Sequence, residues 1–298
     1  MTGRRIFAAS TSVALVAGAL AAGAGTIGSA AASHAGVARH TAVRPSARYL
    51  REARVALVHY LATHRSPALT LHPSASRAVG NTIVAATSAN WNGYADVSST
   101  KGEFTRVSGH WATPGVTCTA EDQLTSEWVG LDGATDSTVE QDGTLSWCFQ
   151  GVATYYTWYE MYPAATVQVG NTLQPGDLIT ATVSRSSGNY TLSVTDATHT
   201  ANSFSVNKTC AITTCLDESA EWIAERPAFN IGIAPLANYG TWTLSAGSET
   251  AAGKAGTISS FAKVDQIGML DATGTYKLST TSTLTGGNTF TTTWHNSY

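Results

Sequence analysis

The chain is 298 residues long, with a formal net charge of −3 and only 12% charged residues. That balance offers no basic surface to a nucleic acid. Its four cysteines form no Cys-x-x-Cys pair, which excludes a zinc ribbon, and no nucleotide-binding loop is present. No metal and no cofactor are expected.

The N-terminus reads as an export segment. Arg4 and Arg5 precede a mostly apolar, Ala-rich stretch from Ile6 to Ala22, and small residues follow around Ala30-Ala31-Ala32. Residues 1–32 are therefore read as a signal peptide, with the product secreted to the extracellular space. The apolar run is short and no stop-transfer charges follow it, so no membrane partner is expected.

Charge divides the rest. Residues 33–88 carry seven arginines against one acid, Glu52, a net of +6. Residues 89–298 carry eight Lys and Arg against nineteen Asp and Glu, a net of −11. A basic block ahead of an acidic domain reads as a propeptide that neutralises what it precedes, an intramolecular inhibitor that low pH would loosen. A basic linker is the alternative. Inside the block, Leu50, Ala53, Leu57 and Leu61 recur at helical spacing and predict a helix over residues 47–64. Pro67, Pro73 and Gly80 then break the periodicity, and maturation is placed between about Gly80 and Ala89.

Residues 89–298 suffice for one domain, and their pattern is all-β. Alternating runs predict strands at 92–97, 105–112, 125–131, 153–162, 178–186, 190–196, 219–224, 240–246, 259–267 and 289–294. Ser187-Gly188-Asn189 reads as a hairpin turn. Regularly spaced short strands imply a two-sheet antiparallel β-sandwich of the jelly-roll type, with a concave cleft able to hold an extended polymer. Four cysteines in an exported chain allow three pairings. Cys118–Cys148 and Cys210–Cys215 are favoured, the second closing a short hairpin.

Two segments bring carboxylates to the pleated surface. Along 155–162, Tyr156, Trp158, Glu160 and Tyr162 face one way, and Tyr155, Thr157, Tyr159 and Met161 the other. Along 219–225, Glu221, Ile223 and Glu225 share a face while Trp222 points into the core and fixes Glu221. Both patterns also suit ordinary strands, Glu160 in a buried hydrogen bond and the other two glutamates in solvent.

Four motifs occur in a fixed order: Asn90-Trp91-Asn92-Gly93-Tyr94, Trp128-Val129-Gly130-Leu131-Asp132-Gly133, Trp158-Tyr159-Glu160-Met161-Tyr162-Pro163 and Ala220-Glu221-Trp222-Ile223. The chain resembles the eqolisin family of glutamic peptidases, secreted acid endopeptidases with a lectin-like (concanavalin A-like) sandwich. The resemblance implies a catalytic pair, Gln141 and Glu221, with Glu160, Trp128, Asp132, Trp158 and Tyr162 supporting a cleft for polypeptide substrates. Gln141 departs from the family pattern, since Glu140 and Asp142 flank it; Gln150 is the fallback. The implied chemistry is a Glu general base of ordinary acidity activating water, with a Gln amide holding the oxyanion. A monomer is expected. Two rivals stay open: a glycoside hydrolase using Glu160 and Glu221 about 5–5.5 Å apart, and a carbohydrate-binding module built on the aromatic residues. A serine hydrolase is not supported, because His110, His199 and His295 accompany no Gly-x-Ser-x-Gly elbow.

Overall fold

A computed structural model describes residues 46, 48, 49, 51–53, 55, 56, 71–73, 82–119, 122–170, 173–229, 232–261 and 263–298. Residues 1–32, read above as a signal peptide, and most of the basic block lie outside the described residues. What is described of the block includes helical residues between 48 and 56, where Arg48 pairs with Glu52 at 2.8 Å, one turn apart.

The strands run in chain order from β1 (Leu71–Pro73), β2 (Thr82–Ser88), β3 (Trp91–Val97), β4 (Phe104–Ala112) and β5 (Leu124–Leu131). Then come β6 (Val139–Phe149), β7 (Val152–Tyr162), β8 (Val167–Gln168), β9 (Leu178–Ser186), β10 (Asn189–Asp196) and β11 (Phe204–Thr209). After β12 (Ser219–Glu225) a small hairpin forms from β13 (Ala228–Phe229) and β14 (Gly232–Ile233). The last five are β15 (Thr241–Ala251), β16 (Lys254–Thr257), β17 (Lys263–Leu270), β18 (Lys277–Thr281) and β19 (Phe290–Trp294).

Pairing sorts them into two layers. The front sheet runs β1-β2-β17-β3-β12-β5-β6-β7-β8. The back sheet runs β16-β15-β4-β9-β10-β11. Long β15 joins the layers: Thr241–Leu244 pairs with β19, and from Ser245 onward it pairs with β4, with a bulge between Ser245 and Ser248. The expected antiparallel sandwich is found, with one added feature: β2 lies parallel to β17 along seven residues.

Alternation explains the layers. Ile179, Ala181 and Val183 of β9 and Tyr190, Leu192 and Val194 of β10 point inward to meet Tyr94, Val129, Leu131 and Trp222 of the front sheet. The Trp222 ring is fully buried and its indole N–H donates to the Ser108 carbonyl at 2.9 Å, anchoring β12 to the back sheet. The β9–β10 turn is Ser187-Gly188, both at positive φ (50° and 79°), as a two-residue hairpin loop requires.

Both favoured disulfides form, Cys118–Cys148 and Cys210–Cys215. The second does not close a hairpin. It staples the loop between β11 and β12, whose strands lie in different sheets. The strand expected at 259–267 begins later, at Lys263: Ile258–Ser260 is a 3-10 turn in which the Thr257 and Ser260 side chains cap one another's backbone.

Candidate active site

The outer face of the front sheet carries a second apolar cluster. It includes Trp91, Ala95, Trp128, Leu145, Trp147, Tyr156, Trp158 and Ile223, with Tyr162 packed at its rim. A row of directly opposed residues crosses this face, Ala95 on β3, Glu221 on β12, Gly130 on β5, Gln141 on β6 and Glu160 on β7. Directly paired residues point to the same side of a sheet. Glu221 and Gln141 thus share a face, two strand spacings (about 10 Å) apart at the backbone. Between them Gly130 has no side chain; a Cβ there would sit 2.9 Å from the Trp128 ring and 3.3 Å from the Gln141 Cβ. Glycine therefore lets the Trp128 ring and the Gln141 side chain lie close over the sheet between the two positions.

Glu160 fixes the amide. Gln141 Nε2 donates to one Glu160 oxygen at 2.7 Å, and Thr166 Oγ1 donates to the other at 2.9 Å. Gln141 Oε1 and both Glu221 oxygens are buried with no hydrogen-bond partner of good geometry. Burial pushes the Glu160 pKa up to about 8, with Thr166 and Gln141 opposing and the Glu225 charge adding. Burial also lifts Glu221 well above the carboxylate range; Ser219 opposes this, while Asp132, Asp136 and Glu140 add to it. Desolvation thus works against the base of ordinary acidity read from the sequence.

Two of the tryptophan motifs meet at Glu225, on the same face as Glu221. The Trp128 indole donates to Glu225 Oε2 at 2.8 Å and the Asn90 amide to Oε1 at 3.4 Å, while Trp91 packs edge-on against Trp128. Glu225, expected in solvent, is buried, and burial raises its pKa to about 7 against those hydrogen bonds.

Asp132 serves the row at one remove. Its carboxylate accepts the backbone N–H groups of Leu216, Asp217 and Glu218 at 2.7–2.8 Å, pinning the loop that leads into β12. Glu140 and Asp142 point away from Gln141 into the sandwich, so the acids flanking Gln141 do not reach its face. Gln150 sits at the β6–β7 turn, nine residues along from Gln141 and about 30 Å away at strand rise.

Among the described residues three groups of carboxylates, histidines or cysteines lie within 4.8 Å of one another. In the most buried, Asp132, Glu140 and Asp217, the Asp132 oxygens already hold three amides. Asp217 already accepts Tyr190 at 2.7 Å and pairs with Arg185 at 2.9 Å, so a cation is in place. Two others involve Cys210 and Cys215, joined in a disulfide, and Asp196, filled by Thr198, His199 and Asn202. An open groove of about 710 Å³ lies elsewhere, on the back sheet beside His110, Leu178 and Thr243, where no carboxylate or amide pair accompanies it.

Residues 89–294 match the family model described as the Peptidase A4 family. The chain belongs to that family. Aspergillopepsin-2 of Aspergillus niger is 27% identical over 191 residues, 56% of this chain and 66% of that protein. The crystal structure of scytalido-glutamic peptidase with a transition state analog inhibitor shares the fold, with a TM-score of 0.59 at 22% identity over 70% of this chain and 98% of that one. So does SCP-B, an eqolisin in a complex with the tripeptide Ala-Ile-His (TM-score 0.53, 20% identity, the same coverage). Membership in Peptidase A4 removes support from the two carbohydrate readings. The register agrees: Glu160 and Glu221 stand three strands apart, and Glu160 is engaged by Gln141 rather than facing Glu221.

Proposed function

We propose that this chain is the precursor of a secreted, acid-active glutamic endopeptidase in which Glu221 and Gln141 perform the hydrolysis. The observation that supports it best is the shared row, a glutamate and a glutamine on one face with only Gly130 between them and with unpartnered oxygens. Glu221, ionised, takes a proton from a water molecule whose oxygen attacks the scissile carbonyl carbon. A carboxamide has two N–H donors. One of Gln141's is spent on Glu160, which orients the group, and the second faces the oxyanion of the tetrahedral intermediate. Glu221 then returns its proton to the departing nitrogen, the C–N bond breaks, and no covalent acyl-enzyme forms.

The N-terminal block fits the role of inhibitor. The Tyr49 hydroxyl donates to the Phe149 carbonyl, its ring lies 5.8 Å from that of Phe149, and Ala56 packs against the aromatic cluster of the same face. Residues 1–32 would direct export, 33–88 would hold the face closed, and 89–298 would be the working domain, a monomer. Departure of the block would admit water to Glu221 and return its pKa toward the ordinary range. No helix among the described residues is long and apolar enough to cross a membrane.

Denatured casein at about pH 3.5 tests the reading. After acid incubation the chain should degrade casein in the presence of pepstatin. Glu221→Gln and Gln141→Ala should each lower kcat by about a hundredfold or more, the scale of losing a general base or an oxyanion donor. Unimpaired turnover by Glu221→Gln would sink the proposal.

A further inference from the structure

Beside the row that holds Gln141 and Glu160, three more polar atoms on the same face are buried and have no partner. They are Trp158 Nε1 on β7 and both carboxamide atoms, Oε1 and Nε2, of Gln168 on β8. Trp158 and Gln168 are directly paired across the edge of the front sheet, so their side chains lie together on the outer face. Trp158 is 4% exposed and belongs to the aromatic cluster. Trp128, Trp222 and Trp111 find acceptors on Glu225, the Ser108 carbonyl and Thr144, whereas Trp242 and Trp294, on other strands, share the lack of one; what sets Trp158 apart is the unmatched carboxamide directly beside it. A donor and a whole carboxamide left unmatched next to one another are an arrangement that folding alone disfavours.

We propose that Trp158 and Gln168 form a subsite that reads the main chain of an extended polypeptide about three residues from the bond to be cut. This rests on the function proposed above and deepens it. The unpartnered atoms step across the face, from Glu221 on β12 and Gln141 on β6 in one row to Trp158 on β7 and Gln168 on β8 in the next, the row of Ile223, Trp128 and Gly143, two residues along the strands. Two strand spacings of about 4.8 Å and an offset of two residues at about 3.3 Å put Gln168 about 12 Å from Gln141, which an extended chain covers in about three to four residues. At that distance a substrate residue would present a carbonyl and an N–H on one edge, as a strand does to its neighbour. The Gln168 carboxamide supplies the matching donor and acceptor, and the Trp158 indole donates to the next carbonyl. Neither contact reads a side chain. The subsite therefore sets a minimum substrate length rather than a sequence preference, and it makes long, unfolded polypeptides better substrates than short peptides.

The test uses the full chain after acid incubation and quenched fluorescent peptides with one scissile bond, lengthened residue by residue on one side and then on the other. For the wild type, kcat/KM should rise about tenfold as the third and fourth residues are added on one side only. Gln168→Leu, which fills similar space without hydrogen bonds, should flatten that rise, and Trp158→Phe should do the same in part. A peptide N-methylated at the third residue should lose about tenfold with the wild type and nothing further with Gln168→Leu. A Gln168→Leu enzyme whose long-to-short ratio equals the wild type's would overturn the proposal, as would an N-methyl penalty of the same size in both enzymes. Gln168 lies on a two-residue edge strand, so its variant decides the matter even if Trp158→Phe folds poorly. The readout is a ratio between substrates; failure of the Glu221–Gln141 reading would instead appear as unimpaired cleavage by Glu221→Gln.

Discussion

Glu140 and Gln141 are neighbours in sequence and occupy opposite faces of β6. Gln141 looks out over the row with Glu221, while Glu140 is fully buried with Oε1 2.9 Å from the Cys215 sulfur and Oε2 without a partner. A disulfide sulfur carries no hydrogen, so that contact asks the carboxyl to supply its own proton. Burial, with the nearby Asp132, Asp217 and Asp136 charges, raises the Glu140 pKa from 4.5 to about 10. A raised carboxyl pKa means that the folded chain keeps a proton which the unfolded chain releases above about pH 4.5. Its contribution is whole below that pH and fades as pH climbs, by about 1.4 kcal/mol per unit, or ~3 kcal/mol by pH 7. Glu140→Leu should therefore leave stability near pH 3.5 little changed and raise it at pH 7 by ~3 kcal/mol, read from urea midpoints at the two pH values. An equal shift at both would show that packing, not the proton, is at stake.

At the scale of elements, the helical residues between 48 and 56 make contacts that a free linker would not. Removing the Tyr49 ring and hydroxyl and placing a charge at Ala56, as Tyr49→Ala/Ala56→Asp, should weaken the seat on Phe149 and the aromatic cluster. The double variant should shorten the lag before casein cleavage at about pH 5 several-fold, and an unchanged lag would mean that these contacts do not hold the face closed. The helix was legible because Leu50, Ala53 and their successors keep a helical period, though its expected end at His64 lies outside the described residues. Strands such as β9 and β10 were legible for the parallel reason, clean alternation of β-branched and polar residues. The strand that carries Gln141 was not. Val139-Glu140-Gln141-Asp142-Gly143 has acids where a core-facing strand should have apolar residues, and Asp-Gly reads as a turn. Gly143 is instead a strand residue brought against β5, where a Cβ would meet the Glu127 carbonyl at 2.1 Å. The motif resemblance, not the alternation, pointed to Gln141. β2 was also missed, because its partner is the distant β17, and Gln168 gave no signal beyond one polar residue between two valines.

At the scale of the whole molecule, burial raises the pKa of many carboxyl groups among the described residues. Asp142 is fully buried with both oxygens unpartnered, and Asp96, unpartnered too, faces the Glu249 and Asp265 charges; burial drives both well above the ordinary range. Burial likewise raises Glu127, Asp132, Glu225 and Glu249 to about 7. Each of these groups stabilises the fold while it keeps its proton, fully below about pH 4 and less and less as pH passes through 7. The net charge of −11 on residues 89–298 adds repulsion in the same direction. One exposed group works oppositely. Asp271, hydrogen-bonded by Thr273, Tyr276 and Thr275, is lowered to about 2, so its contribution is present above pH 4 and lost as pH falls through 2. The two trends bracket a maximum. The melting temperature followed by circular dichroism should peak near pH 3–4, dip slightly toward pH 2 and fall steeply between pH 5 and 8. The steep side should exceed the shallow one because many buried groups release protons there, against Asp271 at the acid end among the described residues. A melting temperature that is flat or rising from pH 4 to 7 would mean that water or counter-ions reach these carboxyls in the folded chain, and that the fold has no preference for acid.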